Sequence, residues 1–119
     1  MVILGDDLIW ADRLVRAVRA AGANPVSVST LSRFESALQG GADLAIVDLT
    51  ARAYDSVAAI EQANRAGARV LGVGQHDDRA LRDRAIAAGA DRVYAYRALF
   101  EDGPDRVAAW LASTRAVRT

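Results

Sequence analysis

The sequence predicts an α/β domain, an open, doubly wound sheet of five parallel strands with helices on both faces. Three observations carry this. Short apolar runs recur at 2–4, 25–28, 44–49, 70–73 and 92–96. Each is followed by a longer stretch whose apolar residues fall three or four apart, the repeat of a helix with one buried face. The runs at 44–49 and 70–73 are apolar on successive residues, as strands covered on both sides must be, so they belong at the centre. Strict alternation of strand and helix implies right-handed crossovers and a parallel sheet.

The first helix has Ala11, Leu14, Val18 and Ala21 on one face and Arg13, Arg16 and Arg19 on the other, with Gly22 as its stop. The second has Thr30 or Ser32 to cap its N-terminus, Leu31, Phe34 and Leu38 facing inward, and Gly40-Gly41 to end it. The third spans about 54–66, with Val57 and Ile60 inward and Gly67 beyond its end. The fourth starts at Asp77 or Asp78, carries Leu81, Ala85 and Ala88, and stops before Gly89. The fifth begins near Pro104, a residue suited to a first helical turn, and carries Val107, Trp110 and Leu111. Residues 1–119 read as one domain with an ordered core of about 1–113 and a frayed end, without repeats, low-complexity tracts or linkers.

Composition narrows the function. At 119 residues and 52% hydrophobic content the chain supports one contiguous core. Fifteen basic residues, all Arg, balance fifteen acidic ones, so no net charge draws the chain to nucleic acid or a membrane surface. The Arg residues alternate with acids and form no basic stripe with stacking aromatics, which gives nucleic-acid binding no support. Cysteine is absent, which excludes disulfides, thiolate metal sites and cysteine nucleophiles and suits a reducing, cytoplasmic setting. The start lacks the basic residues and long apolar run of a signal peptide, and no apolar stretch approaches the roughly 20 residues of a membrane-spanning helix. Gly72-Val-Gly74 lacks the spacing of a dinucleotide loop, and no Gly-x-Ser-x-Gly elbow appears, so neither nucleotide oxidoreduction nor serine hydrolysis is expected.

In doubly wound sheets ligands bind beyond the carboxyl ends of the strands, where strand order reverses. Asp6 and Asp7 follow the first strand and Asp48 closes the third, so the fold brings three carboxylates to that point. Three like charges in one cleft repel. A divalent cation held by oxygen ligands, Mg²⁺ above all, would relieve them, as would protonation of one carboxyl group. The plainer alternative has Asp6 or Asp7 capping the first helix and Asp48 solvated in a loop.

The order Val-Ile-Leu-Gly-Asp6-Asp7, then Leu14, Val18 and Gly22, then Asp43-Leu-Ala-Ile-Val-Asp48-Leu resembles a bacterial response-regulator receiver domain of the CheY-like kind. Asp55 lies seven residues beyond Asp48, where the family has an acidic residue, and Ala88-Gly89-Ala90-Asp91 is similar to the family's approach to its fifth strand. The resemblance implies a flavodoxin-like (βα)5 fold with strand order 2-1-3-4-5. It also implies Asp48 as phosphoacceptor, with Mg²⁺ held by Asp6, Asp7, Asp48 and the backbone carbonyl of Thr50.

The departures are sharper. Where the family ends its fourth strand with Thr or Ser, this chain has Gly74, and where it has Lys followed by Pro, this chain has Tyr96 and Arg97. The Met-Pro pair and the Gly flanking the Asp55 position are also missing. In the family the Lys pairs with the phosphoryl group and the hydroxyl moves to bond it, so without both the resemblance implies weak coupling to the switch. Arg97 offers a guanidinium, but one residue displaced.

The resemblance further points to a protein partner or output module, and to homodimer contact through the face of the fourth helix, fifth strand and fifth helix. Arg79, Arg82 and Arg106 supply charge there, and exposed Tyr94 or Tyr96 an aromatic anchor. His76, the only histidine, reads as a solvated loop residue, and Trp10 as packing at a helix start. The leading expectation is an atypical, non-catalytic receiver-like module that signals by protein binding, independently of phosphorylation or uncoupled from the usual switch. A phospho-receiver accepting a phosphoryl group at Asp48 from a histidine kinase is the first alternative, and a flavodoxin-like small-molecule sensor the second.

Overall fold

The computed structural model describes residues 1–75 and 77–118, with side chains through residue 113. Five strands, β1 (Val2–Leu4), β2 (Val26–Val28), β3 (Leu44–Asp48), β4 (Arg69–Gly74) and β5 (Arg92–Ala95), alternate with five helices. The helices are α1 (Leu8–Ala20), α2 (Leu31–Gln39), α3 (Ser56–Arg65), α4 (Arg79–Ala88) and α5 (Tyr96–Arg118). All pairings are parallel and the strand order is β2-β1-β3-β4-β5.

Burial follows that order. Strands β1, β3 and β4 are covered on both faces and almost wholly buried, which is why they read as unbroken apolar runs, whereas β2 lies at the edge and is largely exposed. One core layer gathers Phe34, Leu38, Tyr54, Ile60 and Ala63 with the strand residues that face them. The other joins Leu14 and Val18 of α1 to Val107, Trp110 and Leu111 of α5, so these two helices pack side by side on one face of the sheet.

Helix boundaries have local causes. Asp7, Thr30, Asp55 and Asp78 each accept a backbone N–H of the first turn of α1, α2, α3 and α4. Gly89 ends α4 at φ +120°, and a Cβ there would stand 2.6 Å from Asn64 Cγ, so only glycine fits.

The fifth helix departs from the sequence expectation. It starts at Tyr96, well before Pro104, as a short segment that breaks at Asp102 (φ −132°, ψ 32°) before Pro104 opens the longer one. Tyr96 and Leu99 are buried and Phe100 is exposed, a helical spacing that reads as strand when the run is short. Tyr96 and Arg97 therefore sit on a first helical turn and not on a strand. Side chains after Ser113, where fraying is expected, lie outside the described residues.

Candidate functional site: a sealed aspartate at the strand ends

The carboxyl ends of β1 and β3 open into a cleft of about 410 Å³ lined by Asp6, Asp7, Trp10, Thr50, Gln75 and Tyr96 among others. Asp48, the last residue of β3, lies beneath it and is 1% exposed. Its carboxylate is well supplied with donors. Thr50 donates to Oδ1 through its backbone N–H (3.0 Å) and its hydroxyl (2.9 Å). The Tyr96 hydroxyl donates to the same oxygen. Thr50 Oγ1 and the Tyr96 hydroxyl are also 2.6 Å apart. Two hydroxyl protons thus serve three close contacts, and the three groups form one network.

The neighbouring carboxylates are also engaged. Asp7 Oδ1 accepts from Ile9 N (2.9 Å) and Trp10 N (3.2 Å), capping α1. Asp6 Oδ2 accepts from Arg52 N (2.9 Å) and Ala53 N (3.1 Å), which ties the end of β1 to the loop after β3. Asp55 caps α3 through Ala58 N (3.1 Å). Backbone N–H groups donate to each of these carboxylates. Among the described residues no group of three or more His, Cys, Asp or Glu is gathered to hold a metal ion. One oxygen each of Asp6, Asp7 and Asp48 is engaged by backbone N–H. Thr50, expected to lend a backbone carbonyl, contributes its N–H and hydroxyl to Asp48.

Two tyrosines close the site from different sides. Tyr54, in the loop before α3, donates to the carbonyls of Asp48 (2.8 Å) and Leu4 (3.1 Å), holding β1 and β3 together at their ends. Tyr96 is 7% exposed and stacks on Trp10, ring centroids 4.1 Å apart. Burial, reinforced by the Asp48 and Asp6 charges, keeps the Tyr54 phenol protonated well above the usual tyrosine range. Burial and then the hydrogen bond to Asp48 do the same for Tyr96.

Several expectations change on this geometry. Tyr96 is not an exposed anchor, since it lies inside the cleft, and the wall expected to lack a hydroxyl carries the Tyr96 hydroxyl itself. Arg97 does not supply a cation to the cleft, because its side chain is exposed and pairs with Glu101 (3.2 Å). Trp10 is not only helix-start packing, since it covers Tyr96. Gly74 closes β4, and a Cβ there would meet Leu49 Cδ1 at 3.3 Å, leaving little room for a hydroxyl. Arg79, Arg82 and Arg106 are exposed, and Tyr94 is half-buried beneath Arg106 (6.0 Å) and bonded by Arg92 (3.2 Å). His76 lies outside the described residues. Sequence reasoning missed the side-chain roles of Thr50, Tyr54 and Trp10. The available signal was that a tyrosine at the Lys position is long enough to reach the aspartate and ends in a donor.

The strand order and the helix placement agree with solved response-regulator receivers. The receiver domain of NtrX from Brucella abortus superposes with a TM-score of 0.78 at 17% identity, over 99% of this chain and 98% of that one. This chain has the receiver fold. A response regulator from Burkholderia pseudomallei, solved with a phosphorylated aspartic acid, a calcium ion and citrate, gives a TM-score of 0.75 at 18% identity over 99% of this chain and 73% of that one. A protein from the same species, described as related to pilus assembly, gives a TM-score of 0.69 at 25% identity, covering 91% and 87%. No family model and no curated protein matches the chain in sequence. Among the described residues of this receiver fold, no helix is long and apolar enough to cross a membrane.

Proposed function

We propose that this receiver-fold chain is an atypical signalling module that acts by binding another protein, with phosphorylation absent or uncoupled from the usual switch. The observation that carries this reading is the Tyr96 hydroxyl seated on the Asp48 carboxylate. A nucleophile must be within reach of its electrophile, and burial keeps a phosphodonor away from it. Asp48 is 1% exposed and its Oδ1 accepts from Thr50 and Tyr96. A neutral phenol supplies no ammonium to pair with a phosphoryl group, and Gly74 supplies only backbone. The role is regulatory and non-catalytic, and the absence of cysteine suits the cytoplasm.

Incubation with acetyl phosphate or phosphoramidate in Mg²⁺, followed by intact-mass measurement, tests the first half of this reading. Amide NMR shifts on adding beryllofluoride test the second. The expected result is no adduct and no shift reaching β5. A labile adduct abolished by Asp48→Asn, accompanied by shifts along β5 and the start of α5, would establish a working phospho-receiver and overturn the proposal.

A further inference from the structure

Three of the most exposed large apolar side chains cluster around one edge of the molecule. Leu8 is 82%, Ile9 69% and Phe100 65% exposed, on the first turn of α1 and the first segment of α5. Behind them a groove of about 330 Å³ runs between the two helices, floored by Leu14, Ala17 and Leu99 and flanked by Trp10, Phe100 and Pro104. Contiguous exposed apolar surface beside a groove is uncommon on a monomer and marks a place where something docks.

Charge indicates what docks. The charged residues lining the groove are Arg13 and Arg16, with no acidic residue among its walls. Arg16 is already paired with Asp12 (2.9 Å). The Arg13 guanidinium lies over the rings of Trp10 (5.3 Å) and Phe100 (4.6 Å) and has no carboxylate partner among the described residues. An arginine in cation–π contact with two aromatic rings is held near them, so it loses less side-chain entropy on meeting a carboxylate than a fully solvated one. Tryptophan and arginine are also the residue types that dominate binding hot spots.

We propose that the α1–α5 groove docks an acidic amphipathic segment of another protein, its apolar side chains entering between Phe100 and Leu14 and a carboxylate meeting Arg13. This deepens the reading of the chain as a binding module and rests on it. None of Arg79, Arg82 and Arg106 lines this groove.

The test begins with a photo-crosslinking phenylalanine analogue in place of Ile9, in the full chain expressed in its native host. The crosslinked segment is sequenced, synthesised as a peptide and titrated by calorimetry into the wild-type chain, Phe100→Ala and Arg13→Glu. Both positions are exposed, and circular dichroism checks that the variants fold. The expected segment is net negative with apolar residues on one side, and each substitution weakens its binding about tenfold or more. A peptide with Lys in place of its acidic residues should regain affinity for Arg13→Glu. No adduct, an adduct with a second copy of this chain, a basic or uncharged segment, or affinities unchanged by both substitutions would each overturn the proposal. Repeating the titration after treatment with phosphoramidate separates the two readings. An adduct at Asp48 that changes the peptide affinity would remove phosphorylation independence and leave the docking surface standing, whereas an adduct with unchanged affinity keeps both.

Discussion

If the Tyr96 hydroxyl serves to hold Asp48, Tyr96→Phe should weaken the fold by a definable amount. The substitution keeps the ring, so the stack on Trp10 at 4.1 Å survives and no cavity opens. It removes the donor to Asp48 Oδ1 and the contact with Thr50 Oγ1. Asp48 is not orphaned, because the Thr50 N–H (3.0 Å) and hydroxyl (2.9 Å) remain. The loss is therefore one hydrogen bond to a charged acceptor, about 1.5–3 kcal/mol, without the larger penalty of a carboxylate buried without donors. Urea unfolding followed by circular dichroism reads this directly. With a slope of about 1.5 kcal/mol per molar urea, the midpoint should fall by about 1–2 M. Tyr94→Phe is the control. Its hydroxyl accepts from Arg92 (3.2 Å) at the surface, and its removal should stay within about 0.5 kcal/mol. A Tyr96→Phe chain as stable as the wild type, or more so, would mean that the phenol is an incidental occupant of the cleft, and the sealed-aspartate argument would fail.

Alkaline pH provides an independent check. Tyr54 and Tyr96 both have phenol pKa values raised by folding, from a usual value of 10.0. Their contribution is intact below pH 10 and is lost as pH rises towards the folded-state values, because the unfolded chain releases the two protons first. Stability measured by urea titration should fall by up to about 2.7 kcal/mol per pH unit above 10, and by about half as much in Tyr96→Phe. Tyr54→Phe removes the donor shared by the Leu4 and Asp48 carbonyls and should cost about 1–3 kcal/mol in the same assay. Gly74→Ser brings a Cβ to 3.3 Å from Leu49 Cδ1, so it should destabilise by about 1 kcal/mol, with beryllofluoride still leaving the β5 amides unshifted. Gly89→Ala forces a side chain into φ +120° against Asn64 and should lower stability by about 1–3 kcal/mol, seen as a lower melting temperature.

The sheet was legible because burial on both faces writes itself into composition. Leu44–Asp48 and Arg69–Gly74 are nearly continuous apolar runs, and glycines at 22, 41, 67 and 89 all take positive φ at helix ends or just past them. The start of α5 was less legible. Tyr-Arg-Ala-Leu-Phe follows a strand with no capping residue between, so its helical spacing is too short to separate from an extended run, and Gly103-Pro104 gives the stronger start signal. The positions of Asp6, Asp7 and Asp48 followed from the fold, but the partners of those carboxylates did not. Each pairing that decides the site, Tyr96 with Asp48, Tyr54 with Leu4, Arg52 N with Asp6, joins residues more than forty positions apart. Local pattern carries no information about such reach. Loss of a lysine could be read from one position, whereas its replacement by a hydroxyl that fills the gap required the distances.

Trp10 links the two surfaces of the molecule that bear on function. It lines the cleft above Asp48 and also the groove between α1 and α5, with Tyr96 stacked at 4.1 Å and the Arg13 guanidinium 5.3 Å from its ring. In a phosphorylation switch, charge added at the aspartate must move the residues around it. Here the residue over the aspartate is packed against an aromatic wall of a separate binding groove. A partner in that groove can alter the cleft only through a difference in its affinity for two arrangements of the Trp10–Tyr96 pair, and that coupling must be reciprocal. Tyr96→Phe preserves the stack and so should leave groove affinity unchanged while loosening Asp48. Trp10→Ala removes the shared wall and should weaken both. Separation of the two effects in the first variant and their union in the second is what a common aromatic wall requires, and two unrelated sites would not produce it.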